Sequence, residues 1–377
     1  MKRIIGRAVF AAIICLCCLR VQAAGTFNLV GTHPAAAAQP SGTGKTLAAL
    51  TAFNGKIYAG FGDYTGNYGP IGIHSFNPAT NTFSDRLLND PTEAVYQFRH
   101  INGKLYAPDI DPLSGESSGG YAVGTVNGAS ESWQHKGPVT AIHMYDVSGY
   151  GGNLWMAGAK GNNALVWRST DNGLTWSESL NVLPSGGYSY IRIYGMGEYG
   201  GKLYASVDAE TRTKSRVFDG TSWSDGPSLL PGGGLVSNAS TFAGYMVYQS
   251  WECGLSASRM YKFDGTSVSS ISTESVYDYK IVGDTMYSLV PYYEPSGGSV
   301  GWTLVGMAVK STTDLTNWQT LAVAPVTARS LAILGDQLFV GATLAELYKY
   351  SLPIPEPASM VLLAAGTLAL LRRRRIK

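Results

Sequence analysis

Cysteine is nearly missing from the body of this chain. Of the four cysteines, Cys15, Cys17 and Cys18 crowd into the first twenty residues, which leaves Cys253 on its own. A lone cysteine forms no intramolecular disulfide, so the chain must be held by an ordinary apolar core, for which about 330 residues are ample. Zinc-type clustering is missing too, because the five histidines and Cys253 show none of the short spacings of a structural metal site. Charge is sparse at 14% of residues, and Lys and Glu, common on surface helices, are scarce. Gly, Tyr, Trp, Ser and Thr are plentiful instead, a profile of short strands joined by tight turns.

A basic surplus disappears once the two ends are set aside. The chain has 28 Lys+Arg and 26 Asp+Glu. Lys2, Arg3, Arg7 and Arg20 lie at one end, and Arg372 to Arg375, Lys377 and Glu356 at the other. Without them 19 basic and 25 acidic residues remain, a net charge of −6. Such a surface suits neither nucleic acid nor other polyanions, and nucleic acid is not an expected partner.

The ends read as addresses. Lys2, Arg3 and Arg7 precede the apolar stretch Ala8–Leu19 and the small residues around Ala23, the pattern of a secretory signal peptide over residues 1–24. At the other end Pro355-Glu356-Pro357 is followed by the apolar run Ala358–Leu371 and by Arg372, Arg373, Arg374 and Arg375. As a helix that run spans roughly 21 Å, short of the ~30 Å hydrocarbon core. It reads as a short C-terminal transmembrane helix whose arginines stay cytoplasmic, which places everything before Pro355 outside the cytoplasm. These three parts in this order resemble the PEP-CTERM sorting signal. The resemblance implies recognition and removal of the tail by an exosortase-type sorting enzyme. It further implies transient anchoring in the inner membrane, then delivery to the cell surface or an extracellular matrix rich in exopolysaccharide. The expected organisation is 1–24 signal peptide, 25–352 folded domain and 353–377 sorting segment.

Between the ends the chain repeats. Gly55-Lys56-Ile57-Tyr58-Ala59 returns as Gly103-Lys104-Leu105-Tyr106-Ala107, as Gly152-Asn153-Leu154-Trp155 and as Gly201-Lys202-Leu203-Tyr204-Ala205. Looser copies start at Gly244, Gly283 and Gly335, and successive starts are 48, 49, 49, 43, 39 and 52 residues apart. Each copy is a turn leading into an alternating strand, preceded by a short apolar strand such as Leu47–Phe53, which is a hairpin signal. Third and fourth strands follow in most copies, as in Ile71–Phe76 with Thr82-Phe83, or Arg216–Phe218 with Ser222-Trp223. Four strands per 40–50 residues is the blade period of a β-propeller. The expected fold is therefore all-β, a propeller of seven four-stranded blades, with six as the alternative because the later copies are less regular. The seventh copy runs out after three strands, so Thr26–Gly31 is expected to supply its missing outer strand and close the ring. His33–Thr43 reads as a loose crossover.

Two motifs bear on chemistry. Ser169-Thr170-Asp171-Asn172-Gly173-Leu174-Thr175-Trp176 resembles the Asp-box of sialidase-like propellers. The resemblance implies a structural role for Ser169, Asp171, Gly173, Thr175 and Trp176, closing a hairpin on the face away from the ligand site. Ser311–Trp318 looks like a second copy without the glycine. A sialidase site is not expected: Phe98-Arg99-His100-Ile101 only partly matches that family's early arginine motif, and no full set of its catalytic residues stands out. Ser41-Gly42-Thr43-Gly44-Lys45-Thr46 resembles the end of a P-loop, but Gln39 occupies the first glycine position and neither the strand nor the long helix is present. No cofactor is expected. Asp109, Asp111 and Glu116 share a glycine-containing loop where calcium is the metal that the ligand type allows, although the spacing departs from an EF-hand.

The loops that join second to third strands open on one face of a propeller. They contain Asp63, Tyr64, Tyr68, Asp109, Asp111, Asp208, Trp251, Glu252, Tyr292, Tyr293 and Glu294, the candidate ligand-binding residues. Rings stack on sugar faces while carboxylates bind hydroxyls, so this mixture suits a carbohydrate. Two functions stand open. One is an exported interaction protein that binds polysaccharide or envelope partners. The other is a glycan-acting hydrolase or lyase with a carboxylate pair from Asp63, Asp109, Asp111, Asp208, Glu210, Glu252 or Glu294. No catalytic residue is assigned.

Overall fold

The computed structural model describes residues 25–113, 118–128, 130–207, 214–231, 235–250, 257–296 and 301–353. Two short strands come first, β1 (Gly25–Thr26) and β2 (Asn28–Thr32), followed by a single helical turn, Pro34–Ala37. Blade one is β3 (Ala49–Phe53), β4 (Lys56–Gly60), β5 (Ile71–Asn77) and β6 (Thr82–Asp90). Blade two is β7 (Arg99–Ile101), β8 (Lys104–Pro108), β9 (Gly119–Asn127) and β10 (Ser130–Val139). Blade three is β11 (His143–Tyr150), β12 (Asn153–Lys160), β13 (Asn163–Ser169) and β14 (Ser177–Val182). Blade four is β15 (Ile193–Tyr199), β16 (Lys202–Val207), β17 (Ser215–Phe218) and β18 (Trp223–Asp225). Blade five is β19 (Val236–Phe242), β20 (Tyr245–Ser250), β21 (Met260–Phe263) and β22 (Val268–Ser270). Blade six is β23 (Asp278–Val282), β24 (Thr285–Pro295), β25 (Trp302–Thr312) and β26 (Gln319–Ala324). Blade seven is β27 (Ala328–Leu334), β28 (Gln337–Ala342) and β29 (Glu346–Ser351), completed by β2. The chain is thus a seven-bladed β-propeller.

Each blade starts with the hairpin that the repeat predicts. In all seven the first and second strands are joined by two residues, with Phe53 opposite Lys56, Ile101 opposite Lys104 and Leu334 opposite Gln337 as examples. Such a loop needs left-handed backbone, and Asn54-Gly55 and Asn102-Gly103 adopt positive φ at both positions. The second strands are buried on both faces because each blade is packed between two others. Ile57, Tyr58 and Ala59, and likewise Leu203 and Ala205, are all buried. Hence the apolar run in every copy, where a sheet with one wet face would alternate. Fourth strands face water and do alternate, as in β10.

In blades three to six the turns between third and fourth strands share one chemistry. Asp171 Oδ1 accepts from the backbone N–H of Leu174 and Thr175 at 3.1 and 2.9 Å, and Ser169 Oγ accepts from Gly173 N–H at 2.8 Å. Asp219, Asp264 and Asp314 accept similarly from residues two and three places on. In the Ser311–Trp318 turn Thr312 Oγ1 takes the serine's place, and Leu315, where a glycine would be cheaper, is left-handed at φ 63° and buried.

Closure follows the expected route with one addition. β2 pairs antiparallel with β29, with Asn28 opposite Lys349 and Thr32 opposite Glu346. The residues just before it form β1, which runs parallel to β26 and gives blade six a fifth strand. His33–Thr43 is not the loose crossover expected. His33 is fully buried, its ring packed on Phe61, His74 and Phe83, while its Nδ1 caps the helical turn by accepting from Ala36 N–H. An apolar environment lowers its pKa to about 3, mainly by burial, so it is neutral. The P-loop-like Ser41–Thr46 segment is a tight turn in which Thr46 Oγ1 donates to Gly42 O.

Around the axis the first strands are cross-linked by polar groups. Arg99 makes a two-pronged bond to Asp146, at 2.8 Å from Nε and 2.9 Å from Nη2, and a third to Ala239 O at 2.8 Å. Asp146 also accepts from Gln97 and from Met196 N–H. Blades two to five are thereby tied through one ion pair. Asp278 plays the corresponding part in blade six, accepting from Leu331 N–H of blade seven. Removing one partner of a buried ion pair strands the other. Asp146→Ala is expected to lower the unfolding free energy by about 3–5 kcal/mol, read from urea denaturation. Lys160→Ala, which breaks an exposed pair with Glu178, is expected to change it by less than about 1 kcal/mol.

Candidate functional site

The connections between second and third strands and those between blades all emerge on one side, here called the loop face. There blades one to four bring a set of charged and aromatic side chains together. Asp63 follows β4, Glu93 lies on the crossover from blade one to blade two, and Asp111 follows β8. Backbone bonds fix their spacing: Asp63 N–H donates to Glu93 O at 3.0 Å, and Glu93 N–H to Asp111 O at 2.9 Å. His143, at the top of β11, donates from Nδ1 to Ile110 O at 3.0 Å and stands 3.6 Å from Asp111 Oδ1. Arg192, on the crossover from blade three to blade four, is buried and donates to Ile191 O and Gly161 O. Its guanidinium lies 4.8 Å from the centre of the Tyr190 ring. Tyr145 packs on Tyr194 with centroids 4.4 Å apart, and Tyr64 on Tyr96 at 5.9 Å.

Protonation differs from one group to the next. Burial pushes the Glu93 carboxyl up to about 7, aided by repulsion from Asp111 and Asp63. Asp111 is raised to about 6 by burial, with Arg192 pulling the other way. Burial also works against the charged form of Asp63, but Ser41 Oγ–H at 2.6 Å and Thr65 N–H and Oγ1–H outweigh it and hold the carboxyl below its ordinary value. His143 is lowered to about 4 by burial and by Arg192. At neutral pH the site thus offers an ionised Asp63, a Glu93 carboxyl that holds its proton part of the time, a neutral imidazole and one guanidinium.

Of the predicted residues, Asp63, Tyr64 and Asp111 stand in this mouth, and Tyr68 is exposed on the same loop as Asp63. Asp109 does not join them; it is fully buried and turns to His135, 2.7 Å away. Asp109 and Asp111 thus turn to different neighbours, and Glu116 of the same loop lies outside the described residues. So do Asp208, Glu210, Trp251 and Glu252. Tyr292, Tyr293 and Glu294 belong to strand rather than loop, because β24 continues to Pro295 and pairs with β25 as far as Trp302. They lie on a separate blade-six surface, a groove of about 510 Å³ lined by Tyr292, Tyr293, Trp302, Glu274 and Lys310. A second cavity of about 350 Å³ runs along the axis between Arg99, His100, Asp278 and Lys280 and shares Tyr96 with the mouth's tyrosines. Glu93, His143, Tyr145, Arg192 and Tyr194 escaped the sequence reading, which considered only the loops between second and third strands.

Residues 353–375 match the family model of the PEP-CTERM protein-sorting motif. The match covers the tail identified from its three parts and marks the protein as exported and directed to the cell envelope, with exosortase as the implied processing enzyme. Residues 1–24 and 354–377 lie outside the described residues, and among the described residues no helix is long and apolar enough to cross a membrane. Among solved structures, the computationally designed Ika8 protein is similar at a TM-score of 0.47 and 11% identity, over 87% of this chain and 99% of that one. No curated protein matches the chain.

Glu93 gives the mouth a pH signature. A carboxyl raised from 4.5 to about 7 binds its proton more tightly in the folded than in the unfolded chain. Its stabilising contribution is full below about 4.5 and is lost as pH rises through about 7. Glu93→Gln is expected to flatten the fall in Tm between these pH values by a few degrees; an unchanged pH profile would show that Glu93 titrates normally.

Proposed function

We propose that the protein is an exported cell-surface module that binds a polyhydroxylated ligand, a neutral polysaccharide of the extracellular matrix, in the mouth on its loop face. The observation that carries this reading is the convergence of Asp63, Glu93, Asp111, His143 and Arg192 among tyrosines on backbone that is itself hydrogen-bonded between blades. Carboxylates accept from sugar hydroxyls, the guanidinium donates to ring and hydroxyl oxygens, and exposed rings such as Tyr190 offer stacking faces. The net charge of −6 outside the two end segments favours a neutral glycan over a polyanionic one. The envelope-directed sorting motif supports this reading, since polysaccharides are abundant at bacterial envelopes.

A second reading, cleavage of a glycan, is supported by the opposite protonation tendencies of Glu93 and Asp63 within one mouth. Carboxyls pushed apart in this way can divide into acid and base. In this reading Glu93 is the proton donor and Asp63 the ionised partner.

Affinity electrophoresis through gels containing dextran, xylan or alginate separates these outcomes. Retardation by a neutral glycan is expected, and Arg192→Ala and Tyr190→Ala are each expected to weaken it about tenfold or more. No retardation by any glycan overturns the proposal. Retardation abolished by Trp302→Ala but not by the mouth variants moves the site to blade six. Release of reducing ends that Glu93→Gln abolishes establishes the second reading in place of the first.

A further inference from the structure

Beneath the mouth lies a second polar cluster that the proposed function does not use. Asp90 ends β6 of blade one, Asp109 follows β8 of blade two, and His135 lies on β10 of the same blade. One ligand atom from each, two carboxylate oxygens and an imidazole nitrogen, fall within 4.8 Å of one another. Asp90 is 1% exposed and Asp109 0%, so both carboxyls are out of water. His135 Nε2 stands 2.7 Å from Asp109 Oδ2. Neither oxygen of Asp90 has a hydrogen-bond partner, and Asp109 Oδ1 has none either.

Such an arrangement is costly as it stands. A buried carboxylate without a donor loses its hydration and gains nothing in return, and a second carboxylate beside it adds repulsion. Burial and the Asp109 charge push Asp90 up to about 8, so a proton is one way to relieve the conflict. A proton, however, supplies one donor and leaves the other unpartnered oxygens as they were. A divalent cation neutralises both carboxylates at once and takes a lone pair from each.

We propose that Asp90, Asp109 and His135 form a binding site for a divalent transition-metal ion of the zinc or manganese type, which staples blade one to blade two. Two oxygens and an imidazole suit such ions, whereas calcium prefers oxygen ligands throughout. Ligands about 2.1 Å from a common ion are at most roughly 4.2 Å apart, so the cluster must contract by about half an ångström. Rotation of the unpartnered Asp90 side chain can supply that movement. The imidazole would give up its hydrogen bond to Asp109, and both groups would turn to the ion. His135, the least buried of the three, is the side from which an ion arrives. The role we assign is structural, since both carboxylates are buried and the three residues bridge two blades.

The full chain, stripped with a chelator, would be incubated with Zn²⁺, Mn²⁺ or Ca²⁺, passed through a desalting column and assayed for metal content and Tm. About one Zn²⁺ or Mn²⁺ per chain and a rise in Tm of several degrees are expected, with little effect of Ca²⁺. Asp90→Asn and His135→Gln are each expected to abolish both effects. Asp90→Asn should remain folded, since it removes a buried charge, and its metal-free Tm should equal or exceed that of the parent. Should a variant fail to fold, the metal-dependent Tm of the parent still decides. No retained ion and a Tm indifferent to metal would overturn the proposal, as would stabilisation by Ca²⁺ alone or full metal retention by the folded Asp90→Asn variant.

Discussion

Antiparallel pairing of Asn28–Thr32 with Glu346–Ser351 fastens the first described residues to the last, and the ring depends on it. The seven blades follow one another in the chain, so six of the seven neighbouring pairs are covalently linked. Only the junction between blade seven and blade one has no such link of its own. By lending β2 to blade seven before entering blade one, the chain carries itself across that junction. Ser330 Oγ–H then donates to Leu47 O at 2.6 Å, and β27 packs beside β3 as any other pair of inner strands does. Without β2 blade seven would expose the unpaired edge of β29 and meet blade one by surface contact alone. β1 extends the same device to blade six.

A closed ring also explains why charge is tolerated at its centre. Seven first strands converge on the axis, and polar groups such as Asp146 and Asp278 are buried there. Arg99 and Asp146 satisfy one another and several backbone groups besides, so the pair works as a polar rivet through blades two to five. An arginine that resembled part of a catalytic motif in sequence is in the folded chain committed to holding blades together. The mouth above gains from this rigidity, because groups that recognise a ligand lose little freedom on binding if they are already fixed.

Much of the architecture was legible because propellers write their turns in plain chemistry. Asn-Gly and Gly-Gly pairs announced two-residue hairpins, and Asp-Gly-Thr pairs the outer turns, since few residues accept those conformations. The second strands showed as apolar runs because both their faces are covered. Tyr292–Glu294 misled because Pro291 and Pro295 suggest a loop, yet a strand accepts proline where no ladder donor is needed. His33–Thr43 misled because its composition is that of a linker, while its order comes from tertiary burial of one imidazole. Three mouth residues, Asp63, Tyr64 and Asp111, were legible from their loops. Glu93, His143 and Arg192 were not, since crossovers between blades have no periodicity and their meeting is a property of the ring. The same holds for Asp90 and His135, which lie 45 residues apart in the chain.

β29 descends from the loop face, and Leu352 N–H ends beside the blade-seven turn, bonded to Asp336 O at 2.7 Å. The last described residues therefore lie on the side opposite the mouth. Whatever is joined to or cut from the chain beyond Pro353 would meet the propeller on the side away from Asp63, Glu93 and Asp111.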